Sequence, residues 1–373
     1  MCRSRSGITS PRNGDGRPIG VADMTRDASV TKRDCGLDTR SMEEYARSLL
    51  ERGWTETVEE DLERMNGGKL GRPFVFTGKM IEWGNRLKHA LGISYRLARG
   101  FLNHFLREKG LRGISLTQFY DRCRDASSVG KADGRVLASG PCDVEVSEAP
   151  ISVAIDSTGM SLNKYGGWMS YHWNMKPVTG WIKLHAAVDP DTDRILAYAV
   201  TDERCGDIAC FDGLMDDVFS AGHRVGKVLA DAAYDSKAIW NEYTARGIDV
   251  AINIRNSQLK KNVPDYPGRI RSHGCMPRGR EMARILKIGR DEWKREKGYN
   301  RRWKVECTFS DGKRLFGDTL SSRKLETDVE ETVMKVLLLN EYKQIRTRCQ
   351  EVKVNYRTQF PLRLLYTVLH ILL

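Results

Sequence analysis

A chain of 373 residues, 40% hydrophobic and 29% charged, holds more material than one ordinary core needs, and soluble globular composition excludes disorder throughout. No run approaches the roughly 20 apolar residues that span a bilayer, and the first forty residues lack the apolar stretch of a secretory signal. Sixty-one Lys and Arg against 49 Asp and Glu leave a net charge of +12, which favours a polyanionic partner, most often nucleic acid. The nine cysteines are odd in number, scattered and without a Cys-x-x-Cys pair. They read as reduced thiols of a cytoplasmic protein, not as a disulfide scaffold or a zinc site.

In chain order, residues 1–40 show no hydrophobic periodicity and are expected to be disordered, or to follow a misassigned start. From Ser41 the spacing of Met42, Tyr45 and Leu49 predicts a helix that Gly53 ends, and a basic Gly-rich link follows at 67–74. Residues 79–125 predict helices punctuated by Gly92 and Gly110, the last one capped by Ser115. In that last helix Leu116, Phe119, Tyr120 and Cys123 form an apolar stripe, while Thr117, Gln118, Asp121, Arg122 and Arg124 face outward. Helix, short turn and polar-faced helix fit a helix-turn-helix with Thr117, Gln118, Arg122 and Arg124 as its reading residues; the same pattern fits an ordinary helical bundle. The expected helical DNA-binding domain covers about 41–130, and the Gly-, Ala-, Asp- and Ser-rich stretch 125–150 is expected to be a loop.

From Ile151 the period changes. Strands are predicted at 151–156, 183–189, 195–201, 227–235 and 249–255, with helices at 208–222 and 236–247. The resulting order, β-β-β-α-β-α-β, is an α/β mixed sheet flanked by helices, because the second and third strands are joined too tightly for a crossover helix. Residues 256–304 hold fifteen Lys and Arg against five Asp and Glu, and their clustering beside candidate catalytic groups suggests a phosphate-tracking surface, with a basic insert at about 256–298. A long helical pattern at 329–349 closes the second domain, about 150–345; the tail 346–373 has no interpretable pattern.

Three acids stand out: Asp156 at the end of the first predicted strand, Asp231 in the fourth, and Glu306 in YNRRWKVECTFSDGKRLFG. At about 100° per residue, Tyr299, Arg302, Glu306 and Lys313 fall within an arc of roughly 60° on a helix. In-line attack on a phosphodiester needs both the attacking and the leaving oxygen stabilised, which two divalent ions held by carboxylates achieve. Mg²⁺ prefers such hard oxygens. Two strand-borne aspartates and a helix-borne glutamate form a suitable donor set, and Tyr299, Arg302, Lys313 and Arg314 supply groups for DNA phosphate. His185 reads as a strand residue making a buried hydrogen bond, and neither it nor His172 enters the catalytic set.

These residues carry a resemblance. The pattern Tyr-x2-Arg-x3-Glu-x6-Lys formed by Tyr299, Arg302, Glu306 and Lys313, the string DSTG at Asp156, DAAYDS at Asp231 and WIKLHAAVD at 181–189 resemble the DDE-type transposases of prokaryotic insertion sequences. The resemblance spans about residues 41–345 and makes Asp235 the follower of Asp231, not a ligand. It implies a ribonuclease-H-like catalytic fold, catalysis and metal binding by Asp156, Asp231 and Glu306, and two Mg²⁺ or Mn²⁺ ions. It further implies terminal inverted repeats and target DNA as partners, a homodimer in the DNA complex, no membrane, and a nucleoid-associated location. Two other readings stand beside it: a ribonuclease-H-like nuclease that cuts without joining, and a catalytically silent DNA-binding protein derived from a transposase.

Overall fold

Helix caps divide the N-terminal part of the computed structural model, which describes residues 38–126, 136–162, 180–255, 275–322 and 324–359. Five helices result: α1 (Thr39–Leu50), α2 (Trp54–Asn66), α3 (Gly78–Ala90), α4 (Tyr95–Glu108) and α5 (Leu116–Ala126). Thr77 accepts from the Met80 amide at 3.3 Å and Ser94 from the Leu97 amide at 3.3 Å, starting α3 and α4. Ser115 accepts from the Gln118 amide at 3.2 Å while Gln118 accepts from the Ser115 amide at 3.3 Å, a reciprocal capping box that fixes the first turn of α5. The helix α2 has no counterpart in the sequence reading: it buries Trp54, Val58 and Asp61 and packs Leu62 against the same core, in an otherwise acidic segment.

Met80, Trp83, Leu87, Leu102, Leu106, Phe119 and Cys123 form the core of this helical block. The α3–α5 crossing is close because Gly84 lies under Phe119, where an added Cβ would stand 2.9 Å from the ring. Asn103 pins the turn between α4 and α5, donating to the Ile114 carbonyl at 3.1 Å and accepting from its amide at 2.8 Å.

The rest is built on one seven-stranded sheet. Its strands are β1 (Val136–Pro141), β2 (Ile151–Leu162), β3 (Trp181–Asp189), β4 (Arg194–Asp202), β5 (Val225–Ala230), β6 (Asp249–Ile252) and β7 (Thr319–Leu320). The order is β1-β4-β3-β2-β5-β6, with β7 beside the far end of β2. β2, β3 and β4 form an antiparallel meander, and β5 and β6 continue it in parallel on the other side of β2. That mixed sheet is the ribonuclease-H-like arrangement the resemblance implies. β1 corrects the expected loop at 125–150; small residues and a final proline hide its strand character, and it adds antiparallel to β4.

Between β4 and β5 a 3-10 turn (Asp207–Cys210) leads into α6 (Phe211–Ser220), where one helix over 208–222 was expected. α7 (Lys237–Ala245) follows β5, then α8 (Met276–Ile288), α9 (Arg290–Glu296), α10 (Trp303–Phe316) and α11 (Leu325–Gln359). The expected disorder at the N-terminus, His172, the first part of the basic insert and the end of the tail lie outside the described residues, while residues 346–359 continue α11. In the described part of the basic insert much of the charge meets acids: Arg278 with Asp235, Arg284 with Glu296, Arg295 with Glu292, and Lys297 with Asp249 and Glu281.

α10 is held by the tip of the β3–β4 hairpin. Asp193, in the left-handed region at φ 57°, pairs with Lys304 at 3.1 Å and with Arg346 of α11 at 3.3 Å, and its carbonyl accepts from Thr308 at 3.2 Å. Buried Lys343 of α11 pairs with Asp311 of α10, and Asn340 closes both backbone groups of Ile195 on β4. This lattice fixes the helix that carries Glu306. No described helix is long and apolar enough to cross a membrane.

Candidate active site

β2 is the strand at which the sheet changes from antiparallel to parallel pairing. In open α/β sheets ligands bind outside the carboxyl ends of strands at such a switch. The β2–β5 register ends on Ile155 opposite Ala230, so Asp156 and Asp231 are the next residues of two strands spaced about 4.8 Å apart. Asp156 therefore does not end its strand: β2 runs six residues further, bound to β3 through Ser161 opposite Trp181. Asp231 lies just beyond its strand and caps the 3-10 turn Ala232–Tyr234, accepting from the Ala233 amide at 2.7 Å.

Glu306 comes from the first turn of α10. The segment expected as a single helix is two elements, a 3-10 turn at Tyr299–Arg302 and then α10, with Gly298 in the left-handed region ahead of them. Arg302 sits at the junction. Its guanidinium donates to Asp156 Oδ2 at 2.8 Å and to Glu306 Oε1 at 2.6 Å. One fork thus joins two of the three carboxylates proposed from sequence, across 146 residues of chain in the first case. Asp156 uses its other oxygen to accept the Ser157 amide at 2.8 Å.

Burial would lower the pKa of Arg302, but Tyr299, Glu306 and Asp156 outweigh it and hold the group above its ordinary value. Burial raises that of Asp156, Ser157 and Arg302 oppose the shift, and Asp231 and Glu306 add to it. Tyr299 is buried and donates its hydroxyl to the Ala230 carbonyl at 3.2 Å, so it braces the peptide before Asp231. Desolvation raises its phenol to about 12.

Asp156, Thr158, Glu306, Lys313, Arg314 and Asp318 line one open cleft. Lys313 is half-buried there and Arg314 exposed. On α5, distant in sequence, Thr117, Gln118 and Arg124 are exposed; Arg122 is half-buried, donating to the Phe76 carbonyl at 3.4 Å with its guanidinium above the Phe76 ring.

Sequence reasoning missed a polar layer behind Asp156. Asp207 accepts from Ser157 Oγ at 2.9 Å and from Lys183 at 3.2 Å, with His185 Nδ1 at 3.8 Å. His185 is fully buried and shares a 2.9 Å hydrogen bond with Thr201. The only signal was the alternation of Lys183 and His185 on a strand, which points both to one sheet face. Asp235 does not join the site: it accepts both prongs of Arg278 and the Trp240 indole.

Among the described residues, no three His, Cys, Asp or Glu side chains stand close enough to hold a metal ion as placed. The donor chemistry nevertheless fits a hard divalent cation. The Arg302 guanidinium stands in for such an ion between Asp156 and Glu306, so that place already receives positive charge.

Two solved structures align with this chain at a distance. A piggyBac transposase synaptic complex with hairpin DNA aligns over 88% of this chain and 84% of its own, at 10% identity and TM-score 0.32. The Drosophila P element transposase strand transfer complex aligns over 87% and 88%, at 10% identity and TM-score 0.30. The family described as Transposase DDE domain matches residues 149–340, just over half of the chain and the whole run from β2 to the middle of α11. By that match the protein belongs to the DDE-domain transposases.

Proposed function

We propose that the protein binds the terminal inverted repeats of an insertion sequence, cleaves a strand at the element's end to free a 3′-hydroxyl, and joins that hydroxyl to target DNA. The observation that carries this reading is Asp156 on β2 beside Asp231 just past the end of the neighbouring β5, with Glu306 tied to Asp156 through Arg302. Asp156, Asp231 and Glu306 would hold two Mg²⁺ or Mn²⁺ ions, which supply stabilisation of the attacking and leaving oxygens. Lys313 and Arg314 line the cleft as phosphate-binding cations, a point charge and a planar fork respectively. Tyr299 acts one step back, through the backbone that aims Asp231. Water and a 3′-hydroxyl are alternative nucleophiles at one site, so a single set of carboxylates serves both steps.

We assign repeat recognition to the outer face of α5, with Thr117, Gln118 and Arg124 toward the DNA and Arg122 steadying the helix through Phe76. Cutting two ends together calls for a homodimer on DNA. The test is a strand-transfer reaction with repeat-ended duplex, labelled target DNA and Mg²⁺. Joined product supports the reading, whereas cut ends that never join identify a nuclease. Thr117→Ala and Arg124→Ala should weaken binding to the repeat more than to random duplex, by roughly 1–3 kcal/mol per lost base contact; equal losses on both would reduce α5 to backbone positioning.

A further inference from the structure

The Arg302 fork does more than a phosphate ligand waiting for DNA needs to do. A side chain reserved for substrate would be expected in open cleft, but Arg302 is about one-fifth exposed and already makes two charge-assisted hydrogen bonds. Both go to carboxylates that, in the proposed reaction, belong to the divalent cation. Glu306 is the more exposed acid of the two, its side chain more than half exposed, and its position four residues along places it one helical turn from Arg302. The acids would repel one another without a cation among them, and the guanidinium is the cation the chain itself supplies.

We infer that Arg302 is an interlock: in DNA-free protein its guanidinium occupies the charge position of the divalent ion between Asp156 and Glu306, and the site loads metal fully only when Arg302 leaves. The inference rests on the proposed DDE chemistry. A DNA phosphate entering the cleft offers Arg302 a bidentate alternative, which releases both carboxylates. Metal and DNA then load with positive coupling, and because coupling is reciprocal each raises affinity for the other. A protein that must not cut at random gains from a site that is incomplete until an end is bound. The geometry supplies this without a moving domain, through one side chain with two alternative partners.

The experiment is a calorimetric Mn²⁺ titration of full-length, DNA-free protein, paired with thermal unfolding with and without Mn²⁺. Arg302→Gln should bind Mn²⁺ about tenfold or more tightly than wild type, because a positive charge beside the site is gone. Its melting temperature should fall without metal and rise more than that of wild type when Mn²⁺ is added. Arg302→Lys, which keeps a charge but cannot fork both acids, should bind with intermediate affinity and covers the case in which Arg302→Gln does not fold. Asp156→Asn combined with Arg302→Gln should lose the gain, placing the bound ion at this site. Equal or weaker Mn²⁺ affinity in the folded Arg302 variants would overturn the inference. The titration contains no DNA, so its failure is distinguishable from that of strand transfer: equal Mn²⁺ affinities beside normal strand transfer would overturn the interlock alone, whereas tighter Mn²⁺ binding by the Arg302 variants beside wild-type protein that never cuts repeat-ended DNA would overturn the transposition chemistry on which it rests.

Discussion

His185 and Lys313 show how much a single side chain's surroundings decide about its role. Burial pushes His185 down to about 4, with Asp207 pulling it up and Lys183 pushing it further down. Burial favours the neutral ring, which has a hydroxyl partner in Thr201, and both point to a structural role in the sheet. The sign of its effect on stability follows. The folded value lies below the unfolded value of about 6.5, so between the two the unfolded chain binds more protons. The residue's contribution is complete above pH 6.5 and is lost as pH falls toward 4. Urea unfolding at pH 7 and pH 5 should show wild type losing on the order of 2 kcal/mol more than His185→Gln over that interval; parallel losses would contradict the buried neutral ring. Lys313 is the converse case, a half-buried cation about two turns beyond Glu306 on α10 that lines the same cleft. Lys313→Ala should slow single-turnover cleavage by about 100-fold while leaving the ratio of repeat to random DNA binding unchanged. A folded variant that cuts at the wild-type rate would remove Lys313 from the site.

Among the elements, the α3–α5 crossing is the most exacting contact. Gly84 is mid-helix, where alanine would ordinarily gain about 1 kcal/mol, yet its new methyl would meet the fully buried Phe119 ring at 2.9 Å. Overpacking should win, and Gly84→Ala is expected to lower stability by roughly 1–2 kcal/mol, read as a fall in melting temperature; a rise would contradict the tight crossing. Elements with a clear period were legible from sequence: α3 to α5 through their apolar stripes and glycine stops, and β2 to β6 through β-branched runs. α2 was not, although Trp54, Val58, Leu62 and Met65 stand at helical spacing, because one apolar residue per turn among five acids makes a narrow stripe. β1 was not, because a six-residue strand of small residues has no alternation to read. Asp231 was placed inside a strand because apolar alanines continue past it, whereas the backbone turns there on the aspartate's own side chain. Local pattern cannot see a cap that ends a strand early.

Across the whole molecule, α11 joins the two halves. One flank packs Val336 and Leu339 into the core of the sheet and reaches β4 through Asn340. Toward the helical block, Tyr342 meets Tyr45 edge-on at 5.6 Å, and Glu341 accepts from Ser48 and Arg86. The face proposed to read DNA and the cleft proposed to cut it are thus connected through one long helix. The candidate site was legible in outline because residue types at fixed spacing, Tyr299 to Lys313, survive translation into sequence. What was not legible depends on chain separation: the Arg302 bridge to Asp156, the Asp207 layer reaching back 50 residues to Ser157, and the Tyr299 hydroxyl turned toward Ala230. The central claim is that Asp156, Asp231 and Glu306 act as one unit, and the most direct measurement is single-turnover cleavage of repeat-ended DNA by Asp156→Asn, Asp231→Asn and Glu306→Gln, each with its repeat affinity. Every one of the three should lose cleavage by about 1,000-fold or more with repeat binding close to wild type; any one of them cutting at the wild-type rate while folded would contradict the shared site.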